Sequence, residues 1–421
     1  MAENITKIVS VKAGIVYPPE TEGVVSLQPE QRLEETVRLA AAINLEVCFA
    51  EIIKLRKIKP DAYFGKGVIE RLKNETAEQE VELLIVDASL SPIQQRNLEK
   101  ALNLKVIDRT ALILEIFGER AETKEGCLQV ELAHLTYQRS RLVRSWTHLE
   151  RQRGGAGFLG GPGETQIELD RRIIDDKIVK IKKALAKIKQ TRGLQRAARK
   201  RVPYPIIALV GYTNTGKSTL FNRLTKADVF AQDLLFATLD TTMRRFKLPS
   251  GKEVIFSDTV GFISDLPHEL IMAFRATLEE VLEADIVVQV LDASNADFKQ
   301  QRQDVLDVLH SLGLEKIEYQ DNYIEVYNKI DLIENFSVGG QNSIKLSALN
   351  GVGCDRLLSK IDEILSKDSQ VLKLTISAAD GKLLSWLHRN GEVISCREDE
   401  ENLELEVKLD DAARSRLSSF F

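Results

Sequence analysis

The sequence predicts an α/β protein. Its centre is a P-loop domain with a mostly parallel sheet and flanking helices. A small N-terminal α/β domain and an antiparallel helical hairpin precede it, and a small C-terminal α+β appendage follows. Three observations carry this prediction. Ile206 to Val210 is a short apolar run that reads as a buried strand, and it leads into Gly211-Tyr212-Thr213-Asn214-Thr215-Gly216-Lys217-Ser218 and a helical stretch to Leu224. A strand, a glycine turn and a helix with Lys-Ser at its start form a phosphate-cradling loop. Upstream, strand-like and helix-like segments alternate from Ile8 to Phe117, as parallel sheets require. Between the two, apolar residues recur at alternating spacings of four and three on both sides of a glycine-rich stretch, the pattern of two helices sharing a seam.

A chain of 421 residues has room for about three domains. The segment boundaries fall at 1–121, 122–201, 202–367 and 368–421, the last being a short appendage. The net charge is −5, yet Arg139 to Arg201 holds 7 Lys and 11 Arg against 6 acids. That local excess of +12 leaves the rest of the chain at −17, so a basic tool is carried on an acidic body. Cys48, Cys127, Cys354 and Cys396 are scattered and have no clustered His, which suits reduced thiols and argues against zinc. The start Met1-Ala2-Glu3-Asn4 lacks the pattern of a secretory leader, and no apolar run approaches membrane-spanning length. The expectation is a cytoplasmic protein without membrane insertion.

In the first segment, strands are expected at Ile8 to Val16, Val47 to Leu55, Leu83 to Val86 and Lys105 to Ile107. Helices are expected at Pro29 to Ile43, from Gly65-Lys66-Gly67 to about Lys73, from Ser91-Pro92, and at Thr110 to Phe117. Ser91-Pro92 pairs a capping side chain with a proline in the first turn. Gly65-Lys66-Gly67 reads either as a weak phosphate motif or as a loop entering a helix. Asp87 and Asp108 follow strands, where open α/β sheets place ligands, but nothing in the sequence makes them catalytic.

The hairpin seams are Leu128, Leu132, Leu135, Leu142, Trp146, Leu149 and Ile174, Ile178, Ile181, Leu185, Ile188. Each helix should run about 30 residues, ~45 Å at 1.5 Å per residue. Arg151 to Gly163 is too rich in glycine and proline for helix, and Thr165-Gln166-Ile167-Glu168 reads as a capping box that opens the second helix. Arg151, Arg153, Arg171 and Arg172 flank the base of the loop, and Gly154, Gly155, Phe158 and Gly161 lie within it. Bare glycine backbone ringed by arginine suits RNA phosphates, with Phe158 free to stack on a base. A connector or a dimerising coiled coil is the plainer alternative.

In the third segment Lys217 should reach the β- and γ-phosphates and Ser218 should hold Mg²⁺, with Thr219 next on the helix. Phe236-Ala237-Thr238-Leu239-Asp240-Thr241-Thr242 is a threonine-rich loop in which one threonine should meet Mg²⁺ and the γ-phosphate. Strand Glu253 to Ser257 delivers Asp258-Thr259-Val260-Gly261, with Asp258 facing the metal and the Gly261 N–H sensing the γ-phosphate. A strand at Ile286 to Leu291 and a helix at Asp297 to Leu312 follow. Strand Tyr323 to Tyr327 then leads to Asn328-Lys329-Ile330-Asp331. The Asp331 carboxylate can accept from guanine N1–H and its amine, whereas adenine offers only an acceptor there, so GTP is expected over ATP. Ser347-Ala348-Leu349, after strand Ser343 to Leu346, should turn a backbone N–H toward the base oxygen. Phe262 stands where small GTPases carry a water-orienting glutamine, so a low intrinsic rate is expected.

Gly160-Gly161-Pro162-Gly163-Glu164-Thr165-Gln166-Ile167-Glu168-Leu169-Asp170-Arg171-Arg172 closely resembles the signature of the HflX GTPases, translation factors of the wider Obg-like group. The phosphate loop and Phe236-Ala237-Thr238-Leu239-Asp240 are also similar to that family, and the likeness runs from about Gly14 to Lys367. The resemblance implies Thr238 as the metal and γ-phosphate ligand, with Thr242 as the alternative. Lys217, Thr238 and Gly261 are then the residues acting in hydrolysis. Thr241 stands where the family has proline, which implies a less rigid loop. Asn214 resembles the asparagine by which some related GTPases hold K⁺. The family likeness further implies binding to the 50S subunit, with the glycine tip on 23S rRNA near the peptidyl-transferase region; the free protein is expected to be a monomer. Ribosome-stimulated hydrolysis to GDP, splitting of stalled or stress-idled ribosomes, and a second, ATP-hydrolysing activity in the N-terminal domain are also implied. The other classes that the residues leave open are a regulatory GTPase whose hairpin recruits proteins, and a cofactor of RNA modification.

After Ser369, strands at Val371 to Ile376, Val393 to Arg397 and Leu403 to Leu409 and helices at Asp380 to His388 and Ala412 to Phe420 are expected.

Overall fold

The computed structural model describes residues 11–19, 28–152, 162–199, 204–226, 236, 242–264, 280–334, 336–337, 340, 342–367, 370–377, 380–399, 402–409 and 417. Side chains are described at all of these except 143–152, 162–167, 189, 192–199, 367, 370, 389–390, 392, 398–399 and 408. The chain forms two compact units, residues 1–246 with 254–351 and residues 247–253 with 352–421.

The first unit opens with β1 (Lys12–Tyr17), α1 (Pro29–Ala41), β2 (Glu46–Ile52), α2 (Lys66–Glu78), β3 (Leu83–Val86), α3 (Pro92–Leu102), β4 (Lys105–Asp108) and α4 (Arg109–Arg120). The strands form one parallel sheet in the order β2-β1-β3-β4. All four residues of β3 are buried, because such a sheet is covered on both faces. Alternation along β3 sends Leu83 and Ile85 to one core with Leu39 of α1 and Leu112 and Phe117 of α4. Leu84 and Val86 go to the other, with Leu72 of α2 and Leu98 of α3. Ser91 caps α3 as expected, and the structure adds a full capping box, with Ser91 and Gln94 bonding each other's backbone N–H. Gly65 caps α2, which runs on to Glu78, beyond the expected end.

Asp87 and Asp108 are anchors rather than ligand-facing groups. Asp87 accepts from Arg32 Nε at 3.0 Å, Arg109 Nη1 at 3.2 Å and Thr36 Oγ1 at 2.7 Å. Burial opposes its charge, but Arg109 and Arg32 outweigh that and hold the carboxyl below its usual range. Asp108 caps α4 through Ala111 N at 2.9 Å and accepts from Tyr137 Oη at 2.7 Å and from Arg141.

Tyr137 and Arg141 belong to α5 (Lys124–Gln152), which with α6 (Pro162–Arg199) makes the hairpin. The nine residues between the helices span at most about 35 Å, shorter than the ~43 Å of a 29-residue helix, so the helices must run antiparallel. Leu135, Ile178 and Ile181 are buried together, with Leu128, Leu132, Ile174 and Leu185 packed against them. Arg139, the polar slot in the seam, reaches Asp175 at 2.8 Å. One expectation is corrected. α6 starts at Pro162, so Thr165 lies within the helix and does not cap it; proline at the first helical position makes its own start. The outer seam side chains Leu142, Trp146 and Leu149 fall outside the described side chains.

The rest of the first unit is built on a six-stranded sheet in the order β10-β9-β8-β5-β7-β6, from β5 (Ile206–Gly211), β6 (Thr242–Lys247), β7 (Glu253–Asp258), β8 (Ile286–Asp292), β9 (Tyr323–Asn328) and β10 (Ser343–Lys345). The pairs β10/β9, β9/β8, β8/β5 and β5/β7 are parallel. Its helices are α7 (Lys217–Thr225) and α8 (Phe298–Ser311). Ala208, Val210, Val287 and Val305 share one core with Leu39, Leu112 and Phe117 of the helices that cover the N-terminal sheet. The two sheets are therefore parts of one packed body. β6 was not foreseen, because Thr242 to Lys247 carries two arginines and a lysine.

The second unit contains α9 (Cys354–Lys367), also not foreseen, and a three-stranded sheet in the order β11-β13-β12. Its strands are β11 (Gln370–Ser377), β12 (Glu392–Asp399) and β13 (Asn402–Leu409), paired antiparallel, with α10 (Gly381–Asn390) between β11 and β12. Leu383 and Leu387 of α10 pack on Leu403, Leu405 and Val407. All but one residue of the expected last helix, Ala412 to Phe420, lie outside the described residues.

Candidate functional site

Between β5 and α7 the chain turns through Asn214 at φ 58° and Gly216 at φ 88°. A Cβ on Gly216 would stand 2.3 Å from Asn328 Nδ2, and the left-handed backbone is itself costly for any other residue. The turn folds Lys217 back so that its Nζ donates to the carbonyls of Gly211 and Tyr212 at 3.0 and 2.7 Å. Burial pushes the Lys217 ammonium down to about 8, against the pull of Asp258; a phosphate anion in the loop would raise it again. Thr215 spends its hydroxyl on Tyr212 O. Thr219 is half-buried on the first turn of α7.

Ser218 Oγ donates to Asp258 Oδ2 at 2.7 Å, and Asp258 is the fully buried last residue of β7. A hydroxyl and a carboxylate at a helix start and a strand end are hard oxygen donors that fit Mg²⁺. Thr238, the third expected ligand, lies outside the described residues, as do Ala237, Leu239 and Asp240. Phe236 turns away from the loop: it is buried at φ 57° and meets Phe117 of α4 edge-on at 4.7 Å.

Gly261 is crowded against the phosphate loop. A Cβ on it would lie 2.9 Å from Thr213 Cγ2 and 3.2 Å from Lys217 Nζ. The buried Thr213 hydroxyl has no hydrogen-bond partner among the described residues, so a polar partner is wanted beside the phosphate loop. Thr259 gives its hydroxyl to Leu209 O at 2.7 Å and Val260 is buried in the core, which leaves only backbone from either to face a ligand. Phe262 is buried as well. Its N–H donates to Gly211 O at 3.0 Å and its carbonyl accepts from Thr213 N at 2.7 Å. The backbone therefore stitches this turn to the phosphate loop, and the ring cannot orient water.

Asn328 ends β9 and joins two loops. Its Nδ2 donates to Thr215 O at 2.8 Å and its Oδ1 accepts from Ala348 N at 2.9 Å. Lys329 pairs with Asp292 at 2.7 Å. Asp331 is exposed on a 3₁₀ turn at Ile330–Leu332. Arg223 of α7 holds Ala348 O at 3.1 Å and also reaches Leu349 O. Ser347 is buried, while Leu332 and Leu349 stand 66 % and 67 % exposed, apolar edges suited to the faces of a base.

Sequence reasoning missed Glu35, Arg109 and Ser264, which surround the Tyr212 hydroxyl. Tyr212 donates to Glu35, and Ser264 N donates to Tyr212 Oη at 2.8 Å. Glu35 is 177 positions from Tyr212, and no local pattern links residues so far apart. Asn214 lines a cavity of about 240 Å³ with Gln31, Arg38, Thr213, Asn295 and Gln301. Of the RNA candidates, Arg171 and Arg172 are exposed on α6 and Arg151 lies in the last turn of α5. Arg153, Gly154, Gly155, Phe158 and Gly161 lie outside the described residues.

A phosphate loop braced through one asparagine to an Asn-Lys-x-Asp reader is the build of a P-loop GTPase, and residues 206–329 match the family described as 50S ribosome-binding GTPase. Residues 30–118, 120–199 and 333–418 match the families described as GTP-binding GTPase N-terminal, GTP-binding GTPase Middle Region and HflX C-terminal domain. The chain is 47 % identical to GTPase HflX of Magnetococcus marinus over 393 residues, covering 92 % of this chain and 90 % of that one. It is 40 % identical to GTPase HflX of Escherichia coli over 382 residues, covering 86 % and 88 %. The chain belongs to the GTPase HflX family. A GTP-binding protein from Sulfolobus solfataricus in complex with GDP aligns at 22 % identity and a TM-score of 0.45 over 84 % of this chain and 98 % of that one. Among the described residues no helix is long and apolar enough to cross a membrane.

Proposed function

We propose that this GTPase acts in the cytoplasm as a monomer when free, binds the 50S subunit through its hairpin and separates stalled or stress-idled 70S ribosomes. Hydrolysis of GTP to GDP and phosphate then lets it leave. The observation that carries the nucleotide reading is the Asn328 brace, which ties the phosphate loop to the loop of Ser347, Ala348 and Leu349 beside Asp331. The basic excess from Arg139 to Arg201 and the match to a family described as ribosome-binding support the partner.

In this reading GTP lies with its phosphates on the backbone amides from Gly211 to Ser218 and Thr219, and its base between Lys329 and Leu349. Asp331 accepts from guanine. Ser218, Asp258 and Thr238 would hold Mg²⁺, which would supply charge neutralisation to the phosphates. A water attacks the γ-phosphorus, the bond to the β–γ bridging oxygen breaks with its electrons going to GDP, and inorganic phosphate leaves. Lys217 offsets the charge that develops on the bridging oxygen, and the Gly261 N–H reports the γ-phosphate. Phe262 cannot orient the water, so in this reading the ribosome supplies that help. Asn214 has the side chain to hold K⁺ at this loop, and replacing K⁺ by Na⁺ should slow turnover if it does. The tip arginines and Phe158 contact 23S rRNA near the peptidyl-transferase region. The segments 1–121, 122–201, 202–367 and 368–421 divide these tasks. Among the described residues nothing beyond a helix start marks Gly65-Lys66-Gly67, so ATP hydrolysis there forms no part of the proposal.

The test is GTP turnover with and without purified 50S particles. A slow intrinsic rate raised at least tenfold by 50S particles is expected; equal rates would remove the ribosome from the reading.

A further inference from the structure

Ser264, three residues beyond Gly261, is where the nucleotide loops meet the N-terminal domain. Its N–H donates to Tyr212 Oη at 2.8 Å, and its carbonyl accepts from Arg109 Nη2 at 3.2 Å. Its hydroxyl lies 2.6 Å from Tyr212 Oη and 3.1 Å from Asp304 Oδ2 on α8. Arg109 Nη2 also holds Glu35 at 2.6 Å, and Glu35 accepts from Tyr212.

The protons can be counted. Glu35 is paired with Arg109 and is therefore an acceptor, so the one Tyr212 proton goes to it. The one Ser264 hydroxyl proton then has two acceptors, Tyr212 Oη and Asp304, and can serve only one at a time. Ser264 thus has two discrete hydrogen-bonding arrangements, the kind of bistable element through which coupling can pass. Gly261 and Phe262 lie on the same short stretch of backbone, so a move of Gly261 toward a γ-phosphate is felt at Ser264.

The other end of the network reaches the hairpin. Arg109 follows Asp108 directly, and Asp108 is gripped by Tyr137 and Arg141 of α5. Arg141 also stacks over the Tyr137 ring at 4.3 Å. A continuous run of contacts therefore leads from α5 through Asp108, Arg109 and Glu35 to Tyr212 and Ser264.

We infer that Tyr212 and Arg109 are positioning residues for the turn that senses the γ-phosphate, and that through Asp108 they make the orientation of the hairpin and the choice between GTP and GDP depend on each other. The inference rests on the GTPase reading. Coupling of this kind is reciprocal: whatever shifts the hairpin end must shift nucleotide preference by the same factor.

The test uses the full chain without ribosomes. Tyr137→Phe removes one hydrogen bond to Asp108 and lies outside the nucleotide machinery. It should leave GDP affinity unchanged and shift the ratio of GDP to non-hydrolysable GTP-analogue affinity by about threefold, the weight of one hydrogen bond. Tyr212→Phe, or Ser264→Ala if that variant does not fold, should shift the same ratio and lower kcat with little change in KM. The double variant should shift the ratio no further than the larger single change, since both cut one path. If Tyr137→Phe leaves the ratio at the wild-type value, or moves both affinities together, or if the two effects add, the relay is wrong and the GTPase reading stands. If the unaltered chain binds no guanine nucleotide, both fall.

Discussion

In the proposed reading one side chain, Asp331, decides the substrate. It is exposed, next to the Lys329–Asp292 pair and one residue before an exposed Leu332, so its carboxylate can meet a base edge with no rearrangement of the fold. Asp331→Asn should lower GTP affinity by 10²-fold or more, on the order of a reader left with mispaired polar groups, and should admit xanthosine triphosphate. Competition binding of the two nucleotides measures this, and unchanged GTP affinity would contradict the assignment. The residues that define this reader were legible in the sequence, because Asn-Lys-x-Asp after an apolar run is a local pattern. The structural duty of Asn328 was not. Its bonds to Thr215 and Ala348 cross 113 and 20 positions, and only the parallel order of β5, β8 and β9 brings those loops together. Phe262 was legible as a missing glutamine, but its backbone exchange with Gly211 and Thr213 was not, because no side chain announces a bridge made by the main chain.

At the scale of elements, strands β1 to β5 and β7 to β13 and helices α1 to α8 and α10 follow from apolar runs, caps and heptads. Failures cluster where tertiary contact overrides local signal. β6 exists with Arg244 and Arg245 in it, Arg245 over the Tyr204 ring at 4.8 Å. The start of α6 was misread because proline and a capping box both mark helix starts and stand three residues apart. Asp87 illustrates how a motif of the right type in a ligand-binding position can be structural. Between Arg32 and Arg109 it locks α1 and α4 onto the end of β3. Because its folded carboxyl is held below the usual carboxylate range, its stabilising effect is complete above the unfolded value near pH 4 and is lost as pH falls below that, toward the folded value. Asp87→Asn leaves two buried guanidinium groups short of a partner and should cost about 3–5 kcal/mol at neutral pH. Denaturant midpoints of both proteins against pH should show that gap narrowing below about pH 4. A constant gap would mean that Asp87 packs without its charge.

At the largest scale, the first unit divides its labour between a packed body and a hairpin rod. The core that joins Leu112 and Phe117 to Val210 and Val287 makes the N-terminal sheet and the nucleotide sheet one body. The seam of Leu128, Leu135, Ile178 and Ile181 makes the hairpin a second apolar cluster, and Asp108 with Tyr137 and Arg141 fastens the rod to the body. Helix α5 has 29 residues, so its end lies roughly 43 Å from its start at Lys124, and the proposal places no nucleotide contact on residues 154–163. Removing residues 154–163 should therefore leave GTP and GDP affinities within twofold of wild type while abolishing stimulation by 50S particles. The same deletion should weaken co-sedimentation with 50S in the presence of a non-hydrolysable GTP analogue. It should also flatten the salt dependence, since each lost phosphate contact removes on the order of one counterion from the log–log slope. Retained stimulation with an unchanged salt slope would show the segment to be a connector and move the search for the RNA-gripping surface to the exposed Arg171 and Arg172 face of α6.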